Sequence, residues 1–592
     1  MASGSQDTYI RLWRISPVDS TEPHKPVSQL APDEEIKPEQ KVFLAHGRGF
    51  AYKLESVLLG HAAWVHSVTW HPTTNTDVQP PQLLSSAMDA TVCVWTSDVD
   101  SGVWSPSARL GLIKEDSLGI QGCVWGPLGS ASILAHTIQG SMHLWTKVAD
   151  SWESGFTVGG GHFGEVLDLC WEPGGEFLLS VGTDQTTRVH APWRRPEQKP
   201  EEVWHELSRP QVHGYDLTCI APISRYRFAS GAEEKIIRCF QASKQFKLCL
   251  KHITKVEVAD EECRFFKLHT INCTIEGAQS ASVPILGLSN LSVSDVEQAE
   301  GALLLHGLED TSEPLREEVL WRGTLWPEER KLYGHGYEIY CLAASNSGHL
   351  LASASRATLP EHAAIILWDT RTWQEVQKLP AHQLTVTQMA FSPDDQFLLS
   401  VSRDRRISLF RRTEATGDGA EQFTLFFSTD KRNGIHTRII WTCAWSKDSM
   451  FFATGSREGT VIVWSIKDGQ VAPASPPLTL SHGVTAVAFA PELNYLLAVG
   501  TDDGSIALYE WKPSTEPESW SLRIQLDKQY PFCSSVNFVG SNYSVSQLCT
   551  VSSSGHHKTV KRLAFRPSHN NILQLASCGC DHAVKIHSFC LS

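Results

Sequence analysis

The sequence predicts an all-β protein built of two β-propellers in tandem, the first of them incomplete at its N-terminus. Three observations predict this. A short apolar strand, a tight turn carrying an acid or amide, and a second strand recur ten times along the 592 residues. In nine copies the second strand ends on an aromatic ring or imidazole six residues after the turn residue. In seven copies a histidine stands shortly before an alternating apolar strand that opens the next unit. The nine pairs are Asp7/Trp13, Asp89/Trp95, Gln139/Trp145, Asp184/His190, Glu234/Phe240, Asp404/Phe410, Glu458/Trp464, Asp503/Tyr509 and Asp581/His587. A tenth copy ends at Trp368 after an enlarged turn.

The clearest copy runs from Leu59 to Trp95. After Gly60-His61, the stretch Val65 to Trp70 alternates as a half-buried strand must, and Pro72 ends it. Leu83-Leu84-Ser85-Ser86 begins the second strand, Met88-Asp89-Ala90 turns, and Thr91 to Trp95 returns. With an outer fourth strand these make one propeller blade. His61, a serine (Ser85 or Ser86), Asp89 and Trp95 are expected to join side chain to side chain across the blade. A His–Asp pair in one copy could be a catalytic dyad; repeated in several copies it is architecture, specifying blade geometry. The corresponding histidines are His162, His213, His382, His436, His482 and His557. Copies with Glu, Gln or His at a signature position are expected to have weaker networks. This pattern resembles the WD40 repeat, whose period is about 40–45 residues.

Spacing sets the expected domains. Residues 1–280 read as a first propeller of about four and a half blades, and residues 281–592 as a second of six to seven. The stretch between Glu234 and Trp368 has room for about two more blades, and its acidic part, Ser294 to Glu318, reads as a solvated loop. The interval from Asp503 to Asp581 suggests an insertion. The chain begins in mid-blade at Asp7, which suggests an N-terminally shortened form.

Composition narrows the classes. The chain is 41% hydrophobic and 20% charged, with 41 Gly, 30 Pro and 20 Trp, which suits many short strands and turns. No apolar run is long enough for a membrane helix and no signal peptide is visible, so no membrane partner is expected. Fifteen cysteines, mostly single and within apolar strands, read as reduced core residues of an intracellular protein. A net charge of −14 opposes long-range attraction to nucleic acid while leaving room for a local basic patch.

Enzyme motifs are missing: no P-loop, HExxH, nucleophile elbow or paired CxxC occurs. Cys578-Gly579-Cys580 lacks a second ligand pair and reads as a strand end, so neither a metal nor a cofactor is expected. The best interface candidate is the run from Arg209 to Asp216, with Arg209, Gln211, Tyr215 and Asp216 as its contact residues. Its structural alternative is that His213 fills the blade position while Pro210 and Gly214 shape the loop. Basic residues gather at Arg194/Arg195, Arg403/Arg405/Arg406 and Lys431/Arg432/Arg438. They read as a solvated surface or as contacts to tRNA or an acidic partner.

Several stretches exceed the generic repeat: Gly182 to Arg188 with Ala191-Pro192-Trp193, Trp204-His205-Glu206, Arg209 to Leu217, Thr324 to Glu328, Lys331 to Glu338, Glu361 to Trp368, Leu384 to Pro393, and Arg438 to Trp441. Together they resemble the Elongator complex protein 2 family, from the first residues to the last blade. The segment from about Lys251 to Ile275 departs from the family pattern. The resemblance implies a noncatalytic double-propeller scaffold that holds the large propeller-bearing subunit and the radical-SAM/acetyltransferase subunit of Elongator. That complex modifies wobble uridines in tRNA and has attributed roles in transcription elongation, so a cytoplasmic and nuclear location is expected. The competing readings are a WD40 substrate adaptor of a ubiquitin ligase or signalling assembly, and a propeller enzyme, which lacks any convergent acid, base or metal constellation.

Overall fold

The computed structural model describes residues 1–18, 41–45, 47–72, 81–98, 101–111, 119–127, 131–155, 161–194, 203–256, 278, 280–282, 290–293, 313–413, 422–430, 434–467, 469–491, 495–513, 519–527, 555–567 and 572–590. Each repeat folds from its turn outward. The acid accepts the backbone N–H two residues on, as Asp89 does from Thr91 at 3.1 Å and Asp404 from Arg406 at 2.9 Å. The intervening residue takes a left-handed conformation, with φ 59° at Ala90, 64° at Gln185, 68° at Arg405 and 65° at His582. An acid that mimics a backbone acceptor therefore sets the hairpin on which the second and third strands pair antiparallel.

Ten of the eleven antiparallel sheets among the described residues are blades, numbered here 1 to 10 in chain order; the other is a two-stranded pair, Ser280–Ser282 with Leu291–Val293. Residues 1–160 form one compact unit and residues 161–592 a second. The first unit holds blade 1 (within Ala2–Leu58), blade 2 (Val65–Gly111) and blade 3 (Ile120–Gly155).

The second unit is a closed ring of seven blades. Its inner strands are Val166–Trp171, Leu217–Ser224, Ile339–Ala344, Val386–Phe391, Ile440–Trp445, Val484–Phe489 and Val560–Phe565. Each lies beside the next, and the last lies beside the first. The first residue of every one of these strands is fully buried (0% exposed), a contribution of about 1.5–3 kcal/mol per side chain. The core sits between blades: Ile365 and Leu367 of blade 6, for instance, share a cluster with Val386, Met389 and Phe391 of blade 7.

Polar side chains stitch neighbouring inner strands. The threonine at the second position donates to the first carbonyl of the next strand: Thr218 to Ile339 at 2.9 Å, Thr387 to Ile440 at 2.6 Å and Thr485 to Val560 at 2.6 Å. The third position accepts from the next strand's N–H, as Gln388 does from Cys443 and Thr442 from Val487, both at 3.0 Å. Asp168, at the third position of the first inner strand, accepts from the next strand like the others, from Ile220 N–H at 3.1 Å, and also from Arg562 Nε at 2.6 Å across the seam between the last blade and the first. Trp171 Nε1 donates to Ala564 O at 3.0 Å, and the Arg566 guanidinium lies over the rings of Trp171 and Trp204.

This ring corrects the expected domain boundary, which falls at residues 160/161 and not near 280. The blades of Asp184 and Glu234 belong to the seven-bladed unit. The stretch read as room for two blades is mostly an excursion within blade 5, whose third strand, Ile236–Gln241, pairs with Glu328–Tyr333. The excursion begins with helix α1 (Lys244–Thr254), capped by Ser243, and ends with helix α2 (Glu317–Arg322). Both helices pack on blade 4. Most of the acidic stretch and residues 257–277 lie outside the described residues.

The seam pair makes a stability prediction. Arg562→Met leaves the Asp168 carboxylate buried without its cation and should cost about 3–5 kcal/mol in denaturant unfolding. The double variant Asp168→Leu/Arg562→Met should recover much of that loss, which a double-mutant cycle will measure.

Candidate functional site

The conspicuous histidines and acids are tied up in the blades. In blade 2, His61 Nε2 lies 2.8 Å from Ser85 Oγ and its Nδ1 3.3 Å from Asp89, while Trp95 Nε1 donates to Ser85 Oγ at 2.8 Å. Ser85, not Ser86, is thus the hub. The same arrangement joins His162 to Ser180 (2.8 Å) and Asp184 (2.9 Å), and His382 to Ser400 (2.8 Å) and Asp404 (3.2 Å). At His162, where burial disfavours the charged ring, a neutral imidazole protonated on Nδ1 satisfies every partner in this chain of bonds. At His61 burial opposes the charged ring, but the bond to Asp89 outweighs it and raises the ring to about 9.

Four departures from the sequence reading have physical causes. Glu458 does not weaken its blade: His436 reaches it at 2.9 Å and Thr454 at 2.9 Å, and Trp464 donates to Thr454 at 3.0 Å. The last blade uses His556, 2.8 Å from both Asp581 and Ser577, and not His557. His482 stays half-exposed at 3.7 Å from Asp503. Working blade histidines stand four residues before the first buried residue of the inner strand, as His61 does before Val65, whereas His482 stands two before Val484 and His557 three before Val560. The fourth case is His213, whose Nε2 faces Glu234 at 3.0 Å while its Nδ1 accepts from Tyr215 N–H at 2.9 Å. Its hydroxyl partner is taken: Ser230 donates to Gln211 at 2.7 Å.

Charge states follow the bonding. Burial pushes the Asp581 carboxyl up, but the bond from His556 and nearby N–H donors outweigh it and hold it at about 2. His335 of blade 6 bonds Ser353 at 2.7 Å and has no turn acid, so burial and Lys378 lower it to about 4. Among the described residues no three His, Cys, Asp or Glu side chains converge to hold a metal.

The structure separates the predicted interface residues. Arg209 is 1% exposed and Gln211 2%, so neither is a surface anchor. Arg209 bonds Glu206 and Glu317, each at 2.6 Å, and Arg188 links Glu206 (3.1 Å) to Asp184 (3.3 Å). Burial pushes Glu206 up, and Arg188 and Arg209 bring it down to about 2. These residues are buried because the excursion closes over their strand: Ser208 donates to Thr324 O at 2.7 Å and Trp326 N–H to Pro210 O at 3.0 Å. Tyr215 is exposed and Asp216 half-buried. Arg194 is half-buried and donates to Thr254 O at 3.1 Å; Arg195, Lys431 and Arg432 lie outside the described residues.

What remains open is the end of the ring where the turns and the histidine loops meet. Arg405 and Arg438 are exposed there and Arg406 half-buried, with Arg405 Nη1 3.4 Å from the carbonyl of Thr437. Arg356, Arg403 and Arg457 add exposed charge on blades 6 to 8. Exposed apolar groups lie among them: Tyr215, Tyr337, Leu359, Leu384 and Ile435. Sequence reasoning missed Tyr337 and Leu384, although Tyr215, Tyr337, Leu384 and Arg438 all stand two residues after a blade histidine. The opposite end is closed by bonds between hairpin loops, such as Asn346 N–H to Asp395 (2.7 Å) and Tyr495 to Asp448 (2.7 Å). The arrangement sets exposed cations and exposed apolar side chains on the same end of the ring.

Comparison with known proteins agrees with this architecture. The family model described as "WD domain, G-beta repeat" matches residues 52–96, 155–190, 326–369, 373–411, 433–465, 475–510 and 547–588. Blade 5, where His213 is turned, falls mostly between two of these matches. The whole chain aligns with 72% of Elongator complex protein 2 of Drosophila melanogaster at 41% identity. The chain belongs to the Elongator complex protein 2 family. The Homo sapiens protein is 40% identical over 99% of the chain and 72% of its own length, and the Arabidopsis thaliana protein 35% over 100% and 71%.

A blade histidine without an acid has a pH signature. The folded value of His335, about 4, lies below its ordinary 6.5, so the unfolded chain binds the proton first. Its contribution is intact above pH 6.5 and lost as pH falls toward 4. His335→Gln should therefore flatten the fall of the denaturation midpoint across that window, read from urea titrations at several pH values.

Proposed function

We propose that this WD-repeat chain is a noncatalytic scaffold subunit of Elongator, supporting wobble-uridine modification of tRNA by holding the large propeller-bearing and radical-SAM/acetyltransferase subunits. The observation that carries the reading is the fate of the acid–base residues. His–acid pairs in five ring blades are bonded into the blade framework, leaving an exposed face of cations and apolar rings suited to macromolecular contact. Family membership supplies the assembly, and the proposed setting is the cytoplasm and nucleus, with the attributed transcription role following from the same complex.

Co-expression with those two subunits tests the reading. They should co-elute with the chain in size-exclusion chromatography, and loss of the chain should lower wobble modification measured by mass spectrometry of tRNA nucleosides. Recovery of a cullin or ubiquitin ligase in their place would instead support a substrate-adaptor role.

The proposal extends to tRNA through the complex. Arg405→Glu/Arg406→Glu should weaken tRNA binding by the assembled complex and reduce the slope of log K against log salt by about 1–2. An unchanged slope, from filter binding over a salt series, would remove this face from the tRNA path.

A further inference from the structure

Blade 10 differs from its six neighbours in the ring. Each of those has at least four strands; blade 10 has three, Val560–Phe565, Ile572–Gly579 and Val584–Cys590. Among the described residues no strand runs along the outer edge of Val584–Cys590. In blade 7 the equivalent third strand uses that edge: Ile407 N–H donates to Thr429 Oγ1 at 2.8 Å, and Ile407 O accepts from Thr429 N–H at 2.9 Å. Ile407 follows its turn acid by three residues, as Val584 follows Asp581. By the two-residue period of a strand, Val584, Ile586 and Ser588 direct their backbone groups to the open edge.

Connectivity explains the gap. Around the ring the fourth strand of one blade leads into the inner strand of the next. The strand preceding Val166–Trp171 is Ser151–Gly155, and it pairs with Met142–Val148 within residues 1–160. The described strand that precedes the ring is therefore already paired elsewhere, and among the described residues no other strand takes the fourth place in blade 10.

The complete blades specify what fits. In five of them a fourth-strand leucine lies opposite the residue at the Val584 position: Val92↔Leu110, Ile237↔Leu332, Ile365↔Leu379, Val461↔Leu478 and Ile506↔Leu526. Four of these leucines are buried. One residue further on, arginines reach fourth-strand carboxylates: Arg188 to Glu206 at 3.1 Å and Arg238 to Glu328 at 3.2 Å. Lys585, four residues after Asp581, holds that position in blade 10.

We propose that Val584–Cys590 is a strand-addition site for an extended segment of a second polypeptide. The segment pairs antiparallel, sets a leucine opposite Val584 and turns a carboxylate toward Lys585. Backbone bonds along the edge supply affinity, and these two side chains supply register. The inference is independent of which assembly the chain joins.

The probe is a synthetic peptide of residues 326–335, which contains the fourth-strand Glu328 and Leu332 of blade 5. In the full chain alone, the amides of Val584, Ile586 and Ser588 should exchange with deuterium far faster than those of Ile365 and Leu367, whose edge is covered. The labelled peptide should bind saturably by fluorescence anisotropy and slow those three amides. Leu332→Asp in the peptide, or Lys585→Glu in the chain, should weaken binding by about tenfold or more. Slow exchange without peptide would mean that the chain covers its own edge and would overturn the proposal. So would failure to bind at millimolar peptide, or binding that leaves the three amides unchanged.

Discussion

Everything in the seven-bladed ring depends on one requirement: each inner strand must be held to the next, including the last to the first. Within the series this is done by neutral groups, a threonine hydroxyl to a carbonyl and an amide or hydroxyl oxygen to an N–H. At the seam the inner strands themselves are joined by a charge pair. Asp168 accepts from the blade that follows it and from Arg562 of the blade that precedes it, so a single carboxylate belongs to three blades. Neutral bonds suffice where the chain itself makes neighbours adjacent. The seam joins residues almost 400 positions apart and has to offset the loss of chain entropy in closing the ring, which favours a stronger, charge-assisted bond.

Closure decides where function can reside. The same chemistry that would make a catalytic dyad, an imidazole within bonding distance of a carboxylate, is spent in five of the seven ring blades on fixing the third strand against the entry loop. With hairpin loops bonded to one another at one end, the turn end is the one that leaves cations and apolar side chains exposed side by side. There the acid that organises the turn also positions its neighbour: Asp404 holds Arg405 in a left-handed conformation with its guanidinium outside the blade. A fold-stabilising residue thereby presents a charged one, and the face is shaped by the framework instead of by long mobile loops.

Much of this was legible in the sequence, and the exceptions share a cause. The alternation and turn chemistry gave the blades and placed His61, Asp89 and Trp95 correctly, because those signals are local. The exact histidine required counting four residues back from the inner strand, which separates His556 from His557 and excludes His482. The domain boundary and the burial of Arg209 were not legible, because both arise from pairing across long intervals. The strand Ile236–Gln241 finds its partner near residue 330, and Glu317 reaches Arg209 across 108 positions. An arginine in a loop-like run reads as exposed until the segment that covers it is known.

The tandem arrangement also accounts for the weakness of the last blade. A single propeller can give its first strand to its last blade; here the strand that leads into the ring stays paired within residues 1–160. Among the described residues the seam of the seven-bladed ring is held by side chains, among them Asp168–Arg562, the Trp171 bond to Ala564 and the Arg566 guanidinium over two indoles. Such a closure is complete at the inner strands and open at the outer edge. An exposed strand edge in a folded protein invites pairing unless it is charged or covered. Lys585, whose Nζ donates to Gly555 O at 2.6 Å, sets a positive charge beside this edge, and the proposed strand meets that charge with its acid.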